Sequence, residues 1–333
     1  MDINKLLTDL TKVHTAGHIN SAAEVAVNTL QSFSDVTVFE NYITAEIGKK
    51  FKKSLTLEAH IDQIAMIVTE VFDNGFLRVS PVGGIDSRFL PATPVKIYGK
   101  KVLDGVFTSQ PPHLKKGDVM PDFDNLYVDT GDKNARDLVS AGDLVFFDFA
   151  PAPLLNNRFS AVGLDNRAGC ATVIKAFEEI SKLNLPLNVK LILTYGEEIS
   201  LRGAKVAFFA ADTDSALVVD VSFGDFADIP EHKTAKLKSG TMIGISPILC
   251  RDVYKKLEEI AKDRNIPYTL EVMGGRTGTD ADVVSVSKSG VKTGLLSIPL
   301  RNMHTPVEII DIDDVIATAD LICEYAKEVS LND

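Results

Sequence analysis

The sequence predicts an α/β protein, a sandwich of helices around a mixed sheet, with a small β-barrel or sandwich inserted into the middle of the chain. Three observations carry this expectation. Apolar runs without alternation at 54–59, 187–195, 216–219 and 295–299 read as strands covered on both faces. Helical periodicity alternates with those runs in the first and last parts of the chain. From about residue 68 to 150 that periodicity disappears, and short strands follow one another between Gly and Pro punctuation. A length of 333 residues allows about two domains.

In chain order, residues 1–67 read as a helix followed by strands. Runs 67–72 and 76–79 flank Asp73-Asn74-Gly75, where Asn-Gly predicts a hairpin with a type I′ turn. Further strands are expected at 95–98, 101–107, 126–129 and 143–149, separated by Gly83-Gly84, Pro91, Pro94, Pro111-Pro112 and Gly131. From Asn166 a helix is expected, with Cys170, Val173, Ile174 and Phe177 on one buried face. Strand 187–195 follows. Two later helices are expected at 251–263, with Tyr254, Leu257 and Ala261 inward, and at 313–328, with Val315, Ala319, Ile322 and Ala326 inward and Asp311 or Asp313 as cap. No internal repeat, heptad run or low-complexity tract appears.

Composition narrows the function. A net charge of −11 and the lack of a basic run interleaved with aromatics argue against nucleic-acid binding. Residues 1–13 mix Asp and Lys among their leucines, so neither a signal peptide nor a membrane span is expected there, and the chain is expected to be cytoplasmic. The three cysteines, Cys170, Cys250 and Cys323, are too scattered for a disulfide framework and read as buried thiols. A helix N-terminus could acidify the Cys170 thiol, but a small core residue is the favoured reading.

The chemistry concentrates where strands end. Glu197 and Glu198 close the run 187–195, and open α/β sheets bind ligands just beyond the carboxyl ends of such strands. Adjacent carboxylates project differently, so one can bind a metal while the other handles a proton, provided cations offset their repulsion. Partners stand at comparable places: His60 and Asp62 after 54–59, Asp165 after Gly163-Leu164, Asp220 after 216–219, and His304 after 295–299. Two imidazoles and several carboxylates without cysteine suit a hydrolytic zinc, cobalt or manganese site better than a structural zinc knot. His14 and His18 flank Gly17 in an expected loop and read as solvent-facing; His113 and His232 have no supporting ligand pattern. The stretch Gly274-Gly275-Arg276-Thr277-Gly278-Thr279 lacks the ending of a phosphate loop and reads as a flexible loop beside the site. Arg276 and Arg301 are candidates either for meeting an acidic substrate side chain or for structural salt bridges.

The segments Ala59-His60-Ile61-Asp62, Gly163-Leu164-Asp165-Asn166-Arg167, Gly196-Glu197-Glu198, Val219-Asp220-Val221, Gly278-Thr279-Asp280-Ala281 and the run 298–308 through His304 and Glu308 together resemble the cytosolic dinuclear-metal aminopeptidases that form tetrahedral dodecamers. Pro111-Pro112-His113-Leu114 is similar to another segment of that family. The resemblance covers nearly the whole chain. It implies an α/β/α catalytic domain in two parts, residues 1–67 and 153–333, around a barrel-like or PDZ-like dimerisation insert at 68–152. It implies two divalent ions per subunit, zinc or cobalt or else manganese, with Asp165 bridging both, His60 and Asp220 completing one and Glu198 and His304 the other.

Glu197 would then be the general base for a metal-activated water, and Asp62 would orient the His60 ring from its other nitrogen. Short peptides with a free N-terminus are the implied substrates, and a homo-oligomeric dodecamer the implied assembly. The sequence departs from the family at Gln63, where many relatives carry an acid, and at Asn166, where a second aspartate is common. A metal-dependent deacylase acting on acylated amino acids is the alternative from the same residues. A glycosidase would need no histidine ligands and usually uses aromatic platforms, whereas Trp is absent here. A noncatalytic assembly protein would not be expected to keep every chemical position filled.

Overall fold

Strand Ser54–His60 is buried at every position, as a strand covered on both faces must be. In the computed structural model, which describes residues 1–109, 113–114, 120–227 and 229–331, it lies inside an eight-stranded sheet. The strand order is Tyr268–Val272, Thr241–Ile245, Lys292–Leu300, Ser215–Phe223, Ser54–His60, Asn188–Thr194, Tyr42–Ile47 and Val36–Val38. The four strands from Lys292–Leu300 to Asn188–Thr194 run parallel, so their carboxyl ends share one edge of the sheet. Antiparallel neighbours flank this parallel block on both sides, which makes the sheet mixed.

Alternate residues of the buried strands serve opposite layers. Leu191, Leu193, Leu217 and Val219 join a core with helices Ile3–Thr11, Ser21–Leu30, Leu164–Leu183, Arg251–Arg264 and Ile312–Leu331. Ile192, Ala216 and Val218 pack on the other face with Ala204, Ala207 and Phe208 of helix Arg202–Ala210 and with Ala281 and Val284. The result is an α/β/α sandwich. Asp311 accepts from the Asp313 N–H at 3.0 Å and so caps the last helix.

The insert closes into a barrel in the order Val128–Asp129, Leu77–Val82, Ala65–Val71, Leu144–Phe147, Pro94–Tyr98 and Val102–Phe107. Met66, Val68, Leu77, Val79, Val95, Ile97, Phe107, Val145 and Phe147 fill it, one side chain in two along each strand. A separate apolar seam of Ala16, Ala65, Leu144 and Phe146 joins the barrel to the first part of the sandwich. Pro111 and Pro112 of the family-like segment lie outside the described residues, while His113 and Leu114 are exposed. No described helix is long and apolar enough to cross a membrane.

Three local expectations are corrected. The Asp73–Gly75 hairpin does not use a type I′ turn: Asn74 keeps a negative φ, the Gly75 N–H donates to Phe72 O at 3.0 Å, and only Gly75 is left-handed, at φ +89°. That is a three-residue loop with a glycine bulge, which the Asn-Gly pair serves equally well. Helix Leu164–Leu183 is buried around most of its circumference rather than on one face, because strands of the sheet, helix Ile3–Thr11 and helix Ile312–Leu331 all pack against it. His14 is buried rather than solvent-facing. Its ring stacks on Phe146 at 4.6 Å and meets Tyr98 edge-on, since the expected loop is a small strand pair tucked beneath the barrel.

Candidate metal centre

The carboxyl edge of the parallel block opens where two strands part. Ser215–Phe223 and Ser54–His60 pair up to Val218 and Glu58, and the ladder stops two residues short of Asp220 and His60. The parting strands leave a crevice between Asp220 and His60 at this edge of the sheet. Asp220 lies inside its strand, which continues to Phe223, rather than at the strand's end. After strand Asn188–Thr194, Glu197 and Glu198 stand two and three residues past Tyr195, in a short helical turn, Glu197–Ser200, rather than an open loop. Asp165 and Asn166 keep non-helical dihedrals at the start of their helix, so the regular helix begins after them.

Two clusters result, each with donor atoms within 4.8 Å of one another: His60, Asp165 and Asp220, and Asp165, Glu198 and His304. Asp165 belongs to both, with Oδ1 at 3.2 Å from His60 Nε2 and Oδ2 at 3.3 Å from His304 Nε2. Asp220 Oδ1 stands 3.6 Å from His60 Nε2, and Glu198 Oε2 3.4 Å from His304 Nε2. Glu197 Oε2 is 3.9 Å from His60 Nε2, at the rim of the first cluster. Asp62 Oδ1 is 3.6 Å from His60 Nδ1, too far for a direct hydrogen bond, and the same oxygen accepts from the Glu197 N–H at 3.2 Å. Asp62 thus ties the His60 segment to the Glu197 turn.

Electrostatics favours cations here. Five carboxylates converge on two imidazoles in a largely buried setting. Burial pushes Glu197 up to about 9 and Asp220 up to about 6, and burial with the neighbouring Asp165 holds Glu198 well above the carboxylate range. Asp165 alone is held low; hydrogen bonds from His304 and His60 outweigh its burial. Glu198 Oε1 is buried without a hydrogen-bond partner. An oxygen and nitrogen donor set with an orphaned oxygen and excess negative charge fits divalent ions, whose charge would return these groups to their ionised forms.

Several supporting groups carried no assigned role in the sequence. The Gly83-Gly84 punctuation lies directly against the site: a Cβ on Gly84 would stand 2.8 Å from His304 Nδ1, and one on Gly83 would stand 3.3 Å from Glu198 Oε2. Asn166 Nδ2 donates to Val219 O at 2.7 Å and its Oδ1 accepts from the Gly169 N–H at 3.0 Å, an arrangement an ionised aspartate could not make. Glu308 is buried and bonded to backbone of the Asp165 and His304 segments. Glu58 and Asp280 flank the Thr194 hydroxyl at 2.9 Å and 2.7 Å behind the strand ends. In the sequence Asn166, Asp280 and Glu308 stood out only through the family-like segments, and Glu58 only as part of the run 54–59.

Other candidates fall away from the centre. Gln63 takes a hydrogen bond from the buried Arg167, whose Nη1 also donates to Leu10 O and Val13 O at the end of the first helix. Arg301 is committed to Asp225, donating to its backbone O and to Oδ1, each at 2.7 Å, so the salt-bridge reading holds for it. Arg276, His18 and His232 are exposed. The Cys170 thiol faces His60 O at 3.0 Å, and burial pushes it up to about 12, the inert core residue that was favoured.

Comparison with known proteins reaches the same region of protein space. The family model described as M42 glutamyl aminopeptidase matches residues 40–321. A lysyl aminopeptidase of Pyrococcus furiosus is 31% identical over 282 residues, covering 81% of this chain and 80% of its own. Among solved structures, the aminopeptidase APDkam598 of the archaeon Desulfurococcus kamchatkensis superposes with a TM-score of 0.91 at 27% identity, over 98% of this chain and 94% of that one. The TET1 peptidase of Pyrococcus horikoshii, which can assemble into a tetrahedron or a large octahedral shell, has a TM-score of 0.88 at 28% identity, over 98% of this chain and 100% of that one.

Proposed function

Since the chain belongs to the M42 glutamyl aminopeptidase family and is a metal-dependent aminopeptidase, we propose that it removes N-terminal residues from short peptides in the cytoplasm, using two divalent ions, zinc or cobalt or else manganese. One ion would be held by His60, Asp165 and Asp220, the other by Asp165, Glu198 and His304. The observation that carries this reading is the two-sided Asp165 carboxylate, with one oxygen turned to each histidine. When bound, such ions acidify water and polarise a peptide carbonyl.

The remaining work belongs to the chain itself. Glu197 stands at the rim beside His60 and takes the proton from the attacking water, then returns it to the leaving amine. Asp62 fixes the Glu197 turn through its backbone N–H and faces the far nitrogen of His60. Residues 1–67 and 153–333 form the catalytic unit of this proposal and 68–152 its dimerisation insert, with a tetrahedral dodecamer as the assembly. Side-chain preference is not carried over, since the Pyrococcus furiosus relative is a lysyl aminopeptidase whereas the family is described by a glutamyl one.

One experiment tests the reaction and its base together. Cobalt- or zinc-loaded protein is given matched short peptides with free and N-acetylated ends, alongside Glu197→Gln. We expect cleavage of the free-amine peptides only. The variant should lose about 100-fold or more in turnover, a typical contribution of a positioned base, while retaining its metal. Cleavage of the acetylated peptides alone would move the enzyme to a deacylase, and near-normal turnover by Glu197→Gln would remove that residue as base.

A further inference from the structure

Glu308 is 1% exposed and belongs to neither cluster of donor atoms, yet it touches the main chain of two of the three residues of the second cluster, Asp165, which is shared with the first, and His304. Its Oε2 accepts from the Asp165 N–H at 3.1 Å and its Oε1 accepts from the His304 N–H at 2.9 Å. The fold places it there by strand pairing. Glu308–Asp311 runs antiparallel to Arg158–Ala161, which sets Glu308 opposite Ala161, four residues before Asp165. His304 in turn precedes Glu308 by four residues in a loop closed by the Arg301 and Ile309 backbone pair and by Asn302 Nδ2 donating to Val307 O at 3.1 Å.

We propose that Glu308 is a positioning residue for the metal pair: a single carboxylate that fixes the spacing of the Asp165 and His304 ligands through their backbone N–H groups. The proposal rests on the two-ion reading above. Two features single out a carboxylate for this task. Both N–H groups need an acceptor, and only a group with two acceptor oxygens serves both; an amide offers one oxygen and turns donor hydrogens toward the other N–H. His304 sits at φ +59°, a left-handed conformation that non-glycine residues hold only where surrounding structure enforces it. The closed loop fixes the ends of the segment, and the Glu308 oxygen fixes the His304 peptide itself. Partners that orient ligands in this way typically change metal affinity by about 10- to 100-fold.

The test compares the full chain with Glu308→Gln. Each is stripped of metal, its thermal unfolding is recorded, and it is titrated with cobalt(II) while bound cobalt per chain and the visible absorption band are read. The unaltered chain should take two ions. Glu308→Gln should lower the metal-free unfolding midpoint only slightly, weaken the first ion less than the second because His60 and Asp220 also hold it, bind the second about 10- to 100-fold more weakly, and show an altered band. Glu308→Asp keeps two acceptor oxygens on a shorter arm, should fall between, and takes over the test if the Gln variant does not fold. Two ions bound with unchanged affinity and spectrum would overturn the proposal. So would a strongly lowered metal-free midpoint with both ions lost together, which would make Glu308 a residue of the fold. An unaltered chain that takes one ion would defeat the two-ion reading itself, and the Glu308 proposal with it, independently of any variant.

Discussion

Gly84 illustrates how much of a site can rest on the absence of an atom. It comes from the barrel insert, yet its Cα faces the His304 ring so closely that a methyl group would sit 2.8 Å from Nδ1 and 3.1 Å from Cε1. At that distance something must shift, and since the His304 side chain is 32% exposed the ring has room to turn, so Gly84→Ala should displace it from its place beside Asp165 and Glu198. We expect the second ion to bind about tenfold more weakly or worse, read as bound cobalt per chain, with little change in the first. Unchanged affinity for both ions would mean that the ring relaxes freely. At this scale the sequence was informative about residue type and order: imidazoles and carboxylates at strand ends are legible because parallel strands bring their ends together. Gly84 was not, because a glycine pair reads as punctuation; Glu308 was legible only as part of the family-like run, and its contact with the His304 N–H is what gives it a task.

Single elements show where pattern reading stops. The period of helix Leu164–Leu183 marks one apolar face, but its small residues Ala168, Gly169, Ala171 and Thr172 are buried as well, since other elements close over them. His14 was misread for a related reason: beside Gly17 it looked like a solvated loop residue, and the strand pair Thr15–Ala16 with Ile19–Asn20 instead holds it against Phe146. Burial, reinforced by the nearby Arg167 charge, pushes its imidazole down to about 4. The unfolded chain protonates His14 near 6.5, so between those values it binds more protons than the folded chain, and stability falls as pH falls through that window. From pH 7 to pH 5 this single group should cost about 2 kcal/mol. His14→Phe keeps the stack and removes the titration, so in urea unfolding of metal-loaded protein it should lose less stability than the unaltered chain over that interval. Equal losses in the two chains would show that His14 is protonated without penalty in the folded state.

Over the whole molecule, the change of texture near residue 68 was the most readable feature, because strand-and-turn sequence interrupting helical periodicity leaves a barrel as one of few ways to bury the intervening apolar side chains. What texture cannot convey is the seam, since Ala16, Ala65, Leu144 and Phe146 come from distant parts of the chain and acquire a common purpose only when the barrel docks. The surface raises a parallel question about assembly. Leu155 is 87% exposed, Phe209 76% and Val272 75%, but singly exposed apolar groups are common on monomers and do not decide assembly. A net charge of −11 per chain works against association through self-repulsion, most strongly at low salt where the screening length is long. The proposed dodecamer therefore predicts a native mass near twelve times that of the subunit by light scattering at roughly 0.15 M salt, with a shift toward smaller species as salt is lowered toward about 0.01 M. A monomer mass at the higher salt would dismiss the assembly while leaving the metal centre intact, because each ligand in the two clusters comes from one chain.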